Sequence, residues 1–164
     1  MDPTQIIITR VLQEIQEGHA LVLGKGIPQL LKPHLMESVQ LTELHPGAGE
    51  QTVDLVVVEA DEISQDGSLA LVDDEGMGDL KADHWIVATL HSRDSGEAKI
   101  VQTGNLPTTP EVMAQTVITE LGVLRINEVG LVLTEIAPGI STDDVKSQTA
   151  ASLHVADNIK VMEL

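Results

Sequence analysis

The sequence predicts an α/β fold in which a mixed, largely parallel β-sheet lies between helices. Strand patterns alternate with helix patterns along the 164 residues, which favours this class. The run VDLVVVEA (53–60) is almost continuously apolar, as is typical of a central strand buried on both faces. Phe and Tyr are absent and there is one Trp, so aliphatic side chains must build the core. We expect residues 1–164 to form a single α/β domain, because the length suits one domain and no long linker divides the chain.

The first half of the chain predicts two helices and four strands. Asp2-Pro3-Thr4 suits a helix start, and apolar residues at helical spacing follow as far as Gly18. A short helix in GKGIPQLLKPHL is expected to contain a bend at Pro33. The four strand patterns are ALVLG (20–24), VQLTE (39–43), VDLVVVEA (53–60) and, after a turn at Asp66-Gly67, SLALV. The polar segment 73–84 is predicted to be a surface loop.

The second half predicts a hairpin, a helix, a strand pair and a final helix and strand. WIVATLH (85–91) and AKIVQT (98–103) flank SRDSGE, which indicates a hairpin. EVMAQTVITEL (111–121) is interpreted as a helix with Thr109 as its cap. GVLRI (122–126) and GLVLTEI (130–136) are strand patterns across a short turn. STDDVKSQT (141–149) has a Ser/Thr cap and an acidic first turn, which favour a helix, and SLHVA is the last strand.

The charge excludes several classes of function. With 26 acidic and 9 basic residues the formal net charge is −17, which argues against binding to nucleic acids or anionic membranes. The chain has no Cys, so it has no thiol nucleophile. Its first residues, MDPTQIIITR, do not resemble a signal peptide, and no apolar run approaches the length of a membrane span. We therefore expect a cytoplasmic protein.

Two features are candidate site elements. LVLGKGIPQL places Gly24 and Gly26 in a turn between a strand and a helix, where backbone amides can receive an anion or an oxyanion. A plain tight turn explains the same glycines. His91 ends a predicted strand and is the best placed of the six histidines for a role in a cleft, although a structural histidine is the simpler interpretation. The scattered histidines predict no metal site.

An acidic cluster follows the strongest strand pattern. Glu59, Asp61 and Glu62 lie directly after VDLVVV. The carboxyl ends of strands in open α/β sheets often carry a site, so a functional cluster is one interpretation. A solvated acidic loop is the interpretation that we favour.

Several segments, taken in order, resemble the B subunit of the class I coenzyme A transferases of the 3-oxoacid type. LVLGKGIPQL is similar to the family's Leu-Gly-x-Gly-Ile-Pro turn. WIVATLHSRDSGEAKIVQTGNLPTT is similar to its Val-Ile-Val…Lys-Ile-Val…Leu-Pro-Leu-Thr run. The likeness extends over nearly the whole chain and implies the three-layer α/β/α fold of that protein.

The resemblance implies a catalytic residue. In the family a glutamate directly after a strand, in Ser/Thr-Glu-Asn-Gly, attacks an acyl-CoA thioester and carries CoA as a glutamyl thioester. Glu43 falls at that position and Thr42 precedes it. Gly24, Gly26 and His91 would then be candidates for oxyanion or CoA contacts. The resemblance further implies CoA thioester as substrate, no permanently bound cofactor, and an A-like partner subunit or a homo-oligomer.

The sequence also departs from the family pattern. Leu44-His45 replace Asn-Gly after the glutamate, and the segment before the next strand is only HPGAGEQT. Glu59-Ala60 stand where the family has Gly-Ala. A non-catalytic binding or assembly protein on the same fold is therefore the alternative, with the active-site segments lost.

Overall fold

The computed structural model describes residues 1–44, 49–73, 75–109 and 112–164. Its α-helices are α1 (Pro3–Leu12) and α2 (Thr142–Ser147), and a 3₁₀ helix covers Ile27–His34. The strands are β1 (Ala20–Leu23), β2 (Gln40–Leu41), β3 (Gln51–Val58), β4 (Ala60–Ser64), β5 (Leu69–Leu71), β6 (Leu80–Ala88), β7 (Ile100–Val101), β8 (Thr116–Ile118), β9 (Gly122–Asn127), β10 (Gly130–Ile136) and β11 (Leu153–Val161).

The strands form a large and a small sheet. The large sheet has the order β11-β10-β9-β8-β6-β3-β1-β2, and the small one β5-β4-β7. From β2 across to β8 all neighbours are parallel. Strand β9 is antiparallel to both of its neighbours, and β11 is again parallel to β10. The predicted mixed, largely parallel sheet is confirmed.

Both faces of the large sheet are covered. Helix α1 and the 3₁₀ helix cover one face, where Ile7 and Leu31 pack in the same cluster as Leu55 of β3. The small sheet and α2 cover the other face, where Val56 of β3 packs in a cluster with Val145 of α2. Successive residues of β3 thus enter opposite cores, which explains why its sequence is apolar without alternation.

The predicted hairpin of residues 85–91 and 98–103 is wrong. Strand β6 lies in the large sheet, whereas β7 pairs in parallel with β4 of the small sheet. Among the described residues, the β-bridge nearest to such a hairpin is an isolated one between Ser92 and Ala98, inside the turn. The intervening turn forms, since Arg93 donates its amide to Glu97 O at 2.8 Å, but Ile100 pairs with Ile63 of β4 in the small sheet.

The predicted helix at 111–121 is also wrong. Residues 112–121 contain β8, which is inserted between β6 and β9. Thr116, Val117 and Ile118 are β-branched and fully buried, so they suit a short central strand better than a helix face. Thr109 does not cap a helix; its amide donates to Leu69 O at 2.8 Å. Glu111, the first residue of that prediction, lies outside the described residues.

Other boundaries differ by several residues. Strand β6 begins at Leu80, so the predicted loop 73–84 is shorter. The predicted strand 39–43 is reduced to the two exposed residues of β2. The predicted cap of α2 is confirmed as a reciprocal capping box between Ser141 and Asp144. No helix in the described ranges is long and apolar enough to cross a membrane.

Candidate active site

An open cleft lies at the carboxyl ends of the parallel strands β1 and β2. Its volume is about 460 Å³. Ligands bind at this edge in open α/β sheets, because the loops after the strands meet there. The lining residues are Leu23, Gly24, Lys25, Gln29, Lys32, Leu41, Thr42, Glu43, Leu44, Asp73, Glu75 and Met77.

Glu43 lies in this cleft two residues beyond the end of β2. The amide of Thr42 donates to Leu21 O at 2.8 Å, which continues the pairing with β1 as far as the residue before Glu43. Glu43 itself is exposed and lines the cleft. The chain therefore leaves the sheet at Glu43 and presents an accessible carboxylate at the mouth of a hollow. His45, the second departure from the family pattern, lies outside the described residues.

The predicted glycine turn forms one wall of the cleft through Gly24 and Lys25. The amide of Gly24 donates to Val57 O at 2.8 Å, so it belongs to the sheet and is not free to receive an oxyanion. Gly26 has φ of +86°, a conformation that favours glycine. The turn therefore has a defined conformation, but not all of its backbone amides are free to donate a hydrogen bond to a ligand.

The carboxylate of Glu59 occupies the other side of that turn. Ile27 donates its amide to Glu59 Oε2 at 3.1 Å. A Cβ at Gly26 would overlap this oxygen, so only glycine allows the carboxylate to lie so close to the backbone. Glu59 follows β3 directly and is half-buried. It joins the end of β3 to the start of the 3₁₀ helix.

An ion pair connects two segments that line the cleft. Lys25 Nζ lies 2.7 Å from Asp73 Oδ2. The hydrogen bond from Lys25 lowers the pKa of Asp73, and Asp73 raises the pKa of Lys25. Both groups are therefore charged at neutral pH and largely neutralise one another. Lys32 also lines the cleft and is exposed to solvent.

His91 is not brought together with Glu43. Its ring is fully buried, with Nδ1 at 3.0 Å from Thr119 Oγ1 and Nε2 at 2.8 Å from Thr149 Oγ1. Desolvation lowers its pKa to about 4, so the ring is neutral at neutral pH. The structure places it as a hydrogen-bonded residue of the interior that is not among the residues lining the cleft.

The interpretation of the acidic cluster as a solvated loop is wrong, because Asp61 and Glu62 lie in strand β4. Asp61 is exposed, whereas Glu62 is buried and accepts hydrogen bonds from the amides of Asn105 and Leu106. Among the described residues no group of three or more His, Asp or Glu side chains could hold a metal ion.

Comparisons with known proteins place the chain in a family. No family model matches it. It is 33% identical over 205 residues to the B subunit of the succinyl-CoA:3-ketoacid coenzyme A transferase of Helicobacter pylori, covering 92% of this chain and 98% of that one. The chain belongs to the coenzyme A transferase B subunits.

A second member of this B-subunit family shows how the chain differs from its relatives. The beta subunit of the acetate CoA-transferase of Haemophilus influenzae is 28% identical over 216 residues, covering all of this chain and 97% of the relative. Since this chain has 164 residues, dozens of positions of that relative have no counterpart here. The comparisons favour a CoA-transferase B subunit over the non-catalytic alternative.

Solved structures agree on the fold of this B subunit. An Escherichia coli acyl-CoA transferase, solved as a thioester complex with CoA, matches with a TM-score of 0.77 at 19% identity, over 99% of this chain and 43% of that chain. The decarboxylase AibA/AibB matches with a TM-score of 0.76 at 14% identity, over 99% of this chain and 89% of that one. Because a decarboxylase shares the architecture, the fold alone does not identify the reaction.

Two features of the site were not predicted from the sequence of this B subunit. The pair of Lys25 and Asp73 joins residues far apart in the chain, and no local pattern announces it. The bond of Glu59 to the glycine turn had a weak signal, since Glu59 stands where the family has glycine and a change to a carboxylate beside a glycine turn invites an electrostatic explanation.

Proposed function

We propose that this chain is the B subunit of an enzyme that moves CoA between an acyl-CoA and a carboxylic acid, with Glu43 as the nucleophile. One observation carries the proposal: the glutamate that aligns with the family's motif is accessible and lines the cleft at the carboxyl ends of the parallel strands. A carboxylate needs such access, because a thioester must approach its oxygen directly.

The chemistry is a series of acyl exchanges. A carboxylate oxygen of Glu43 attacks the thioester carbonyl carbon, CoA leaves as thiolate, and a mixed anhydride forms. The thiolate attacks the Glu43 carbonyl carbon, giving a glutamyl-CoA thioester and releasing the donor acid as carboxylate. An acceptor carboxylate then reverses the two steps, which forms the new acyl-CoA and restores Glu43. Each step breaks one acyl bond and forms another, so CoA is a substrate and no further reactant is consumed.

The structure limits which groups could stabilise the oxyanion that forms when Glu43 attacks. Gly24 would have to break its bond to Val57 before it could stabilise an oxyanion, so Gly26 remains the candidate donor of this turn. Lys32 lines the same cleft and is a second candidate for stabilising the oxyanion, through its positive charge. His91 stays outside the reacting atoms, because its two ring nitrogens are engaged in the interior.

A partner completes the proposal. The relatives are named as subunits, and the described residues of this chain leave the cleft open to solvent. We therefore assign an A-type subunit as the partner that closes the cleft over the thioester and excludes water from the anhydride, with a homo-oligomer as the second possibility.

A pair of variants tests the nucleophile. The chain is assayed alone and with an A-type subunit of the family, with acetyl-CoA as donor and butyrate as acceptor. Glu43→Gln should reduce the rate of butyryl-CoA formation by several orders of magnitude, because it removes the group that forms the covalent intermediates.

Glu37→Gln is the matched control. Glu37 is exposed and precedes β2 in the same segment, but it does not line the cleft. It removes the same charge from the chain and should leave the rate within about twofold, as surface changes do. Equal rates for the Glu43 and Glu37 variants would contradict the proposal.

A further inference from the structure

The backbone turn after β1 binds a carboxylate of the chain itself, that of Glu59. Glu59 Oε2 accepts the amide of Ile27 at 3.1 Å, and the carboxyl group lies against the bare Cα of Gly26. A substituent at Gly26 would displace it, so the turn and the carboxylate fit one another. One backbone amide of the turn, that of Ile27, is therefore bound to a carboxylate of the chain itself and is not available to a negative group of a substrate.

The contact between Glu59 and this turn matters for the cleft as well as for the start of the 3₁₀ helix. Gly24 and Lys25 of the same turn line the cleft that contains Glu43. Lys25, the cation that could balance Glu59 from the turn, is bound to Asp73 instead. The wall behind the turn thus carries a negative charge that the neighbouring lysine does not neutralise.

The rest of the cleft adds to the same effect. The described lining carries the carboxylates of Glu43, Asp73 and Glu75 against the cations Lys25 and Lys32, and the protein as a whole carries a formal net charge of −17. Leu23, Leu41 and Met77 supply apolar surface in the same hollow. This combination suits an uncharged aliphatic acyl group and opposes one that carries a second carboxylate.

We propose that Glu59 is a specificity residue: its carboxylate fills the anion-accepting side of the turn between β1 and the 3₁₀ helix and so restricts the acyl group to that of a monocarboxylic acid. This inference rests on the proposed transferase function. It deepens that function by assigning the substrate class.

The first test compares acyl groups. kcat/KM is measured for acetyl-CoA and for succinyl-CoA with the complex of this chain and an A-type subunit. Glu59→Gln keeps an oxygen acceptor for Ile27 but removes the charge. It should raise the ratio of the succinyl to the acetyl value by about tenfold or more, because a like charge beside the second carboxylate is removed.

A purely structural role for Glu59 gives a different result. Glu59→Gln would then change both values of kcat/KM together and leave their ratio unchanged, which would overturn the inference. Asp61→Asn is the matched control, since Asp61 is an exposed acid two residues further along the chain, whereas Glu59 is the carboxylate that bonds the turn. Its ratio should equal that of the wild type.

A second test needs no activity. Glu59→Ala vacates the space beside Gly26, and sodium formate should then raise the thermal midpoint saturably, relative to sodium chloride at the same ionic strength. The wild type and Asp61→Ala should show no such rise. A flat response of a folded Glu59→Ala would overturn the inference, and if that variant does not fold, the ratio for Glu59→Gln decides.

The two proposals fail in different ways. If the wild-type complex transfers no acyl group at all, the proposed function falls and the selectivity with it. If the complex is active but uses succinyl-CoA as efficiently as acetyl-CoA, the role of Glu59 alone is overturned.

Discussion

His91 shows what burial does to a single polar side chain in this protein. Its imidazole has no exposed surface, and the two threonine hydroxyls beside it satisfy the ring without adding charge. Desolvation therefore acts unopposed and lowers the pKa to about 4 from 6.5. At any pH at which the imidazole is protonated in the unfolded chain but neutral in the folded one, folding therefore releases a proton from His91.

This burial predicts a pH dependence of the free energy of unfolding. Between pH 6.5 and 4 the unfolded chain binds a proton that the folded chain does not, so stability is complete above this range and falls as the pH is lowered. Urea unfolding should show a loss of about 2 kcal/mol between pH 7.5 and pH 5 from this group. His84, whose pKa burial also lowers, adds a slope of the same sign.

Variants separate the two histidines. His91→Gln should remove most of the slope in this range, whereas His84→Gln should leave most of it in place. The lowered pKa values of Glu135, Asp66 and Asp144 act at more acid pH, because their ordinary values lie near 4. An unchanged slope in His91→Gln would show that the ring is not held neutral.

The sequence predicted some residue environments better than others. The resemblance to the family's motif predicted that Glu43 follows a strand, and Glu43 does lie two residues beyond β2. The environments of Glu59 and Glu62 could not be predicted. Their partners Ile27, Asn105 and Leu106 are brought to them only by tertiary folding.

Among the helices and strands, a buried ion pair fixes helix α1 against the sheet. Arg10 on α1 donates from Nε to Glu135 Oε1 at 2.9 Å and from Nη2 to Oε2 at 2.6 Å, across to β10. Glu14 lies 3.2 Å from the same nitrogen. The Arg10 side chain is 7% exposed, so the guanidinium depends on these carboxylates for its charge balance.

Removing one carboxylate should therefore be costly. Glu135→Ala leaves Arg10 buried with Glu14 as its remaining acidic partner among these contacts, and should lower the free energy of unfolding by about 3 kcal/mol. Glu50→Ala breaks the exposed pair with Lys81 and should cost less than about 1 kcal/mol. Denaturant unfolding of both variants checks this, and similar losses would contradict the structural role of the Arg10 pair.

Local patterns identified the elements whose signals lie within them. The capping box of α2, the long strand β3 and the pair β9–β10 are all marked by adjacent residues. The segment 111–121 failed because Val117 and Ile118 fit either a helix face or a strand, and the choice is made by β6 and β9 on either side. The hairpin failed because a turn says nothing about which sheet each arm joins.

In the molecule as a whole, the cleft lies at an edge of the large sheet. Strand β2 is the terminal strand of the large sheet, and Glu43 follows it. The described residues leave the cleft open to solvent at this edge, where a second subunit could cover it. In the proposed enzyme the chemistry thus belongs to Glu43 and the closure of the site to a partner.

The covalent intermediate gives the sharpest test of Glu43 as the nucleophile. The chain is mixed with an A-type subunit and acetyl-CoA, treated with borohydride, digested and analysed by mass spectrometry. A thioester at Glu43 would be reduced to a primary alcohol, so the peptide that contains it should lose one oxygen and gain two hydrogens only when acetyl-CoA and the partner are present. An unmodified Glu43 peptide from a complex that transfers CoA, or the same change on another carboxylate, would contradict the proposed role of Glu43.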